Sequence, residues 1–233
     1  MSIVEMNGVS RSYAVGDSVV KALDGVSVRL EKGDLIVILG PSGAGKSTLL
    51  NLLGGLDSPT EGTITVDGKD ISGLKGDELS DYRASKVGFV FQFYNLIPTL
   101  TVYENVALVE DIVDDHLDAR EMLELVGLKD HGDKFPSQLS GGEQQRASIA
   151  RALAKNPEII LCDEPTGALD SDTGVSILKL LNMMSKERGK TVIIVTHNQN
   201  IAKIADVIIR VKNGHIQSCD RQDCPAAIDE VDW

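Results

Sequence analysis

The sequence predicts an α/β fold: a core built on a parallel sheet, with an antiparallel β subdomain and a helical subdomain attached. Three observations carry that expectation. The apolar run Leu35-Ile36-Val37-Ile38-Leu39 feeds a glycine-rich loop and then a helical stretch, which is the strand, loop, helix order of a βα unit. Two β-branched runs, Ile159-Ile160-Leu161-Cys162 and Thr191-Val192-Ile193-Ile194-Val195, are apolar on both faces, as buried parallel strands are, and 173–188 between them has helical spacing. Residues 3–38, in contrast, read as short β segments around the loop.

Taken in order, Val26-Ser27-Val28-Arg29-Leu30 alternates, Gly33-Asp34 marks a turn, and Thr63-Ile64-Thr65-Val66 before Asp67-Gly68 reads as a hairpin. From Asp77 to Gly127 the pattern turns helical, with Leu117, Met122, Leu123, Leu125 and Val126 as apolar positions and Gly127 as a stop. Val207-Ile208-Ile209-Arg210-Val211, then Asn213-Gly214, then His215-Ile216-Gln217 make a terminal hairpin, and Asp220 to Trp233 reads as an acidic, frayed tail. The expected organisation is a single domain over 1–219, with a helical lobe at about 77–150 inserted in the core and 220–233 as the tail.

Composition narrows the function. At 233 residues and 42% hydrophobic content the chain can bury a full core. No stretch approaches the ~18 to 20 apolar residues of a membrane span, and Met1-Ser2-Ile3-Val4-Glu5 lacks a basic-then-apolar leader. A soluble, cytosolic chain is expected. The formal net charge of -12 opposes a general affinity for nucleic acid or anionic lipid, so membrane association would run through a protein partner, without direct insertion. Of three cysteines, Cys162 lies in an apolar strand as a small core residue, and Cys219 and Cys224 lie in polar sequence with no second ligand pair to make a metal site.

The segment Gly40-Pro41-Ser42-Gly43-Ala44-Gly45-Lys46-Ser47-Thr48 fits the phosphate-cradling pattern G-x-x-x-x-G-K-[ST]. Its glycines let successive N–H groups point at one anion, Lys46 adds a point charge, Ser47 offers a hydroxyl to Mg²⁺, and the following helix presents its positive end. The candidate triphosphate site is thus Gly40, Ser42, Gly43, Ala44, Gly45, Lys46, Ser47 and Thr48, in a P-loop NTPase core. Strand 159–162 ends in Asp163-Glu164, two carboxylates at the carboxyl edge of a parallel sheet. Asp163 would hold Mg²⁺ and Glu164 would orient or deprotonate the attacking water. Leu139-Ser140-Gly141-Gly142-Glu143-Gln144-Gln145 opens a further helix with Ser140 as N-cap. Alone this reads as a plain cap; it is also a second anion site, which a nucleotide presented by another copy of the chain would use.

Here the motifs carry a resemblance. Leu139-Ser140-Gly141-Gly142-Glu143-Gln144 looks like the ABC signature. With the Walker A loop at 40–48, the Walker B end Ile160-Leu161-Cys162-Asp163-Glu164, the D-loop Ala168-Leu169-Asp170, the switch His197 and the Q-loop Gln92, residues 2–218 resemble the ATP-binding subunit of ABC transporters. The stretches Phe91 to Val106 and Asp163 to Ser171 look most like the MacB- and LolD-type subfamily. The resemblance implies an ABC ATPase fold, ATP and Mg²⁺, a homodimer on ATP binding, and a membrane permease as partner on the cytoplasmic face. It also implies roles: Tyr13 stacks on adenine, Gln92, just past a strand read at Val87-Gly88-Phe89-Val90-Phe91, reaches Mg²⁺ or water, His197 senses the γ-phosphate, and Ser140, Gly141, Gly142 and Asp170 complete the nucleotide site. Asn198 departs from the family's usual Asp after the switch His. Two other classes remain beside transport. One is an FtsE-type regulator that signals through a membrane partner. The other, the soluble ABC proteins of translation or DNA repair, fits poorly, because only a helical lobe separates Lys46 from Ser140.

Overall fold

The computed structural model describes residues 1–231. Two long strands open the chain, β1 (Ser2–Val15) and β2 (Ser18–Glu31), paired antiparallel with several register shifts. After β3 (Leu35–Leu39) and helix α1 (Lys46–Leu53) come β4 (Glu61–Val66) and β5 (Lys69–Asp70), which join the first two in a sheet of order β2-β1-β4-β5. The short segments expected over 3–38 are therefore two fourteen-residue strands interrupted by bulges, each of which offsets the alternation by one residue and makes the run look broken in sequence.

The second sheet is the core. It uses β3 with β6 (Val87–Val90), β7 (Ile159–Asp163), β8 (Thr191–Thr196), β9 (Val207–Lys212) and β10 (His215–Arg221) in the order β10-β9-β3-β8-β7-β6, antiparallel only at β9-β10. Alternation sorts its side chains onto two faces. Leu35, Val37, Ile160, Cys162, Val192 and Ile194 face the helical side, while Ile36, Ile38, Leu161, Ile193 and Val195 face α1 and the antiparallel sheet. Both faces are covered, which is why these strands show no polar alternation. Burial also pushes the Cys162 thiol up, so that it behaves as a small apolar side chain.

The helices are α2 (Asp77–Lys86), α3 (Val102–Ala107), α4 (Ala119–Leu125), α5 (Gly141–Ala154), α6 (Ser171–Lys186) and α7 (Gln199–Ala202). The strand read just before Gln92 is β6, which divides the helical stretch that begins at Asp77 and pairs with β7 inside the core sheet, so α2 precedes that sheet edge and α3 and α4 follow it. The tail also departs from expectation as far as Val231. β10 continues to Arg221, Gln222 donates to the carbonyls of Ala202 and Ala205, and Ile228 and Val231 are buried in the helical-side core. Those two apolar residues make docking favourable where an all-polar tail would fray; Asp232 and Trp233 lie outside the described residues. Among the described residues no helix is long and apolar enough to cross a membrane.

Candidate active site

Register places the site. β3 and β8 run parallel with Leu39 opposite Thr196, β7 sets Asp163 opposite Val195, and β6 sets Val90 opposite Cys162. The chain leaving each strand therefore emerges at one edge, bringing together the Lys46 loop, Gln92, Glu164 and His197. Open parallel sheets bind ligands at this carboxyl edge.

The loop's shape depends on residues without side chains. Gly45, the N-cap of α1, sits at φ 105°, and a Cβ there would lie 2.5 Å from the Ala22 carbonyl oxygen. No side chain caps α1 and no acid occupies its first turn, so its N–H groups remain directed at the loop. Lys46 is buried, and its Nζ donates to the carbonyls of Gly40 at 2.9 Å and Pro41 at 3.0 Å. Ser47 lies beside Asp163. Burial pushes the Asp163 carboxyl above its ordinary range, the nearby Ser47 hydroxyl draws it back, and the Glu164 charge adds to the push. A hydroxyl beside a partly buried carboxylate is a pair of hard oxygen donors, which fits Mg²⁺.

Glu164 turns the chain at φ 47°, an unusual conformation for a side chain of its size. Its N–H donates to Val195 O at 2.9 Å. Its carboxylate accepts from Thr196 Oγ1 at 2.8 Å and from the His197 N–H at 3.1 Å, and lies 2.7 Å from His197 Nδ1. The sequence assigned His197 to the phosphate; here its ring is fixed first by Glu164, with the side chain 75% exposed and the carboxylate 18%. The Gln92 amide nitrogen and the Cβ of Glu164 would each lie 3.5 Å from a Cβ at Gly167, so Gln92 and the turn at Glu164 meet at this glycine. Asn198 caps α7 by accepting from the Asn200 N–H, a role Asn and Asp fill alike.

Ser140, Gly141 and Gly142 form a separate cluster. Ser140 caps α5 in a capping box, with its N–H and hydroxyl both 2.7 Å from Glu143 Oε2. These bonds hold the Glu143 carboxyl below its usual range, with the His131 ring at 3.0 Å from Oε1 acting in the same direction. Gly142 is pressed against Thr173 and Gly141 against the Tyr94 hydroxyl. Asp170, assigned to the nucleotide, accepts from the Thr173 N–H as the N-cap of α6. Tyr13 lies on β1 with its hydroxyl on Asp57, two strand pairs beyond the Arg11–Leu23 pairing that backs Gly45. Sequence reading missed Thr196, Arg151, His131 and Asp57. Arg151, which donates to the carbonyls of Tyr94 and Asn95 and so holds the loop after Gln92, carried no signal beyond a charge on a helix.

Comparison with known proteins identifies the family. The ABC transporter family matches residues 23–167. An uncharacterized ABC transporter ATP-binding protein, MJ0796 of Methanocaldococcus jannaschii, is 44% identical over 224 residues, covering 92% of this chain and 95% of that protein. The macrolide export ATP-binding/permease protein MacB of Mannheimia succiniciproducens is 47% identical over 221 residues, or 93% of this chain but 34% of that protein, so the chain spans about a third of this larger relative. Among solved structures, the dimeric post-hydrolysis state of MJ0796 bound to ADP and Pi has a TM-score of 0.87 at 43% identity, covering 94% of this chain and 98% of that one. The family match takes in more than half of the sequence and the MJ0796 likeness nearly all of it, and on that ground this chain belongs to the ABC transporter family, as an ATP-binding subunit.

Proposed function

We propose that the chain hydrolyses ATP and couples closure of a head-to-tail homodimer to a membrane permease, each nucleotide lying between the Lys46 loop of one copy and the Ser140 helix of the other. The observation that carries the chemistry is the hold on Glu164, whose carboxylate is fixed by Thr196 and His197 beside the Ser47–Asp163 pair. Backbone N–H groups of Gly40, Ser42, Gly43, Ala44, Gly45, Ser47 and Thr48 bind the phosphates, and Lys46 exchanges its two carbonyl partners for phosphate oxygens. Tyr13 stacks on adenine. Glu164 accepts the proton of the attacking water as the bond to the γ-phosphorus forms and the bond to the leaving ADP oxygen breaks. His197 holds Glu164 in line through Nδ1 and turns its exposed edge toward the γ-phosphate. Ser47, Asp163 and Gln92 would hold Mg²⁺, which when bound supplies positive charge against the phosphate oxygens.

Dimer closure is supported by the cap geometry, which anchors the N-terminus of α5, and by a similar cassette solved as a dimer with ADP and Pi. Ser140, Gly141, Gly142 and Asp170 act there. The permease docks along the helical side, where Phe93, Ile97 and Ile112 are 78%, 40% and 68% exposed. Phe89, Phe91, Leu108 and Ile112 line an adjoining cleft of about 290 Å³. Of the apolar residues in the loop after Gln92, Leu96 and Tyr103 pack on the core instead. Through that partner the chain sits on the cytoplasmic face of the membrane and drives export or extraction of a substrate, in keeping with the likeness to a protein named for macrolide export.

The experiment is Glu164→Gln, which keeps the size of the side chain and the Thr196 contact. ATP binding is expected to persist while hydrolysis slows by ~10² or more, the scale of lost general-base catalysis, and ATP then traps the dimer. Turnover near that of the unmodified chain would overturn the assignment.

A further inference from the structure

The phenol of Tyr13 is locked by two residues that no sequence motif marks. Its hydroxyl donates to Asp57 Oδ2 at 2.6 Å. Arg11, two residues earlier on the same face of β1, engages that carboxylate through Nε at 2.9 Å from Oδ2 and Nη2 at 2.6 Å from Oδ1. The Arg11 guanidinium then lies over the Tyr13 ring, 4.7 Å from its centroid. Three side chains thus close on one another, with Arg11 and Asp57 only 25% and 20% exposed, so the pair is less screened than a surface ion pair.

Asp57 also belongs to the segment that carries the phosphate loop. α1 starts at Lys46, and the turn beyond it is tied back by the Asp57 N–H donating to Asn51 O at 3.3 Å. Three residues later, Thr60 Oγ1 accepts from the Ser12 N–H at 3.0 Å and the Thr60 N–H donates to Ser10 O at 2.8 Å. Past Tyr13 the β1–β2 ribbon runs out to Val15, Val19 and Val20, each more than half exposed. A two-stranded ribbon is marginal unless something holds it.

We propose that Arg11 and Asp57 are positioning residues for the nucleotide base: they close one face of the Tyr13 ring, present the other to a purine, and fix its distance from the Lys46 loop. The inference rests on the reading that this loop binds the triphosphate. A flat ring backed by a cation recognises a base through its π-face, and stacking of this kind is tolerant of the base's edge. Arg11 and Asp57 touch no nucleotide themselves; they act through Tyr13.

The test separates base from phosphate. The affinities of the full chain for ATP and for inorganic tripolyphosphate, which has no base, are measured in the unmodified protein and in Tyr13→Phe, Asp57→Ala, Arg11→Gln and Arg11→Lys. The first three are expected to weaken ATP by about three- to tenfold, less than the full worth of one charge-assisted hydrogen bond because the contact acts on the base only through the ring, and to leave tripolyphosphate within about twofold. Arg11→Lys should recover part of the loss, and Tyr13→Phe combined with Asp57→Ala should be no worse than Asp57→Ala alone. Equal weakening of both ligands, or unchanged ATP affinity in Tyr13→Phe and Asp57→Ala, would overturn the clamp. Tyr13→Phe deletes one oxygen and keeps the ring, so the test survives a folding defect in Asp57→Ala. Tripolyphosphate binding that Lys46→Ala leaves intact would instead remove the phosphate-site reading, and the proposal with it.

Discussion

A side chain at Gly142 has no room: a Cβ would lie 2.3 Å from Thr173 Cγ2, while the Thr173 Oγ1 and Cβ stand clear at 3.5 Å. The glycine is therefore required by contact with α6 within one chain, before any partner is considered. Gly142→Ala is expected to destabilise the chain by about 1–3 kcal/mol, the cost of overpacking, and to lower ATPase by displacing the start of α5. Adding Thr173→Ser removes the clashing methyl and should restore most of both losses, read by thermal unfolding and turnover. A double variant no better than Gly142→Ala would show that the contact is not the cause. At this scale, sequence reading singled out as candidates the residues whose chemistry is local. The glycines of the 40–48 loop, Asp163 and Glu164 announce themselves by type and neighbours. Thr196, Asp57 and His131 do not, because each acts on a residue far away in sequence: Thr196 on Glu164, Asp57 on Tyr13, His131 on Glu143. Only the fold makes them neighbours.

Elements set how those residues are aimed. The buried strands were legible because covering both faces leaves an unbroken apolar run, as in β7 and β8. The strand read at Val87 to Phe91 is β6, one residue shorter, and its two buried valines are what a core strand shows; what sequence pattern did not give is that it pairs with β7, a partner far away in the chain. The tail misled because two apolar anchors, Ile228 and Val231, dock a segment whose remaining composition reads as solvated. On the helical side, the exposed Ile112 at the rim of the cleft tests the proposed docking surface without touching the candidate active site. Ile112→Asp puts a charge where an apolar contact is proposed, and should abolish co-purification with the permease while the isolated chain keeps its fold and basal ATPase. Undiminished co-purification would place the docking surface elsewhere.

For the molecule as a whole, the parallel core was readable in advance, and the Lys46 loop, Gln92, Glu164 and His197 each follow a strand that ends at the same sheet edge. What one chain does not contain is the other half of its proposed site. Within the protomer, Ser140 spends its hydrogen bonds on Glu143 while the Lys46 loop lies at the sheet edge. The net charge of -12 makes two copies repel at long range, so the proposed closure must draw on short-range contacts between the copies and the shared nucleotide. The most direct measurement mixes two inactive chains. Lys46→Ala removes the phosphate lysine, and Ser140→Asp sets a negative charge against phosphate while its carboxylate can still accept from the Glu143 N–H, at the cost of repulsion with the Glu143 carboxylate that the Ser140 hydroxyl now donates to. In a head-to-tail heterodimer one site is doubly damaged and the other fully restored. Mixing equal amounts should raise ATPase well above the sum of the two alone, to at most about a quarter of the unmodified level for random pairing. No recovery, with the heterodimer shown to form in ATP, would contradict a site shared between two copies.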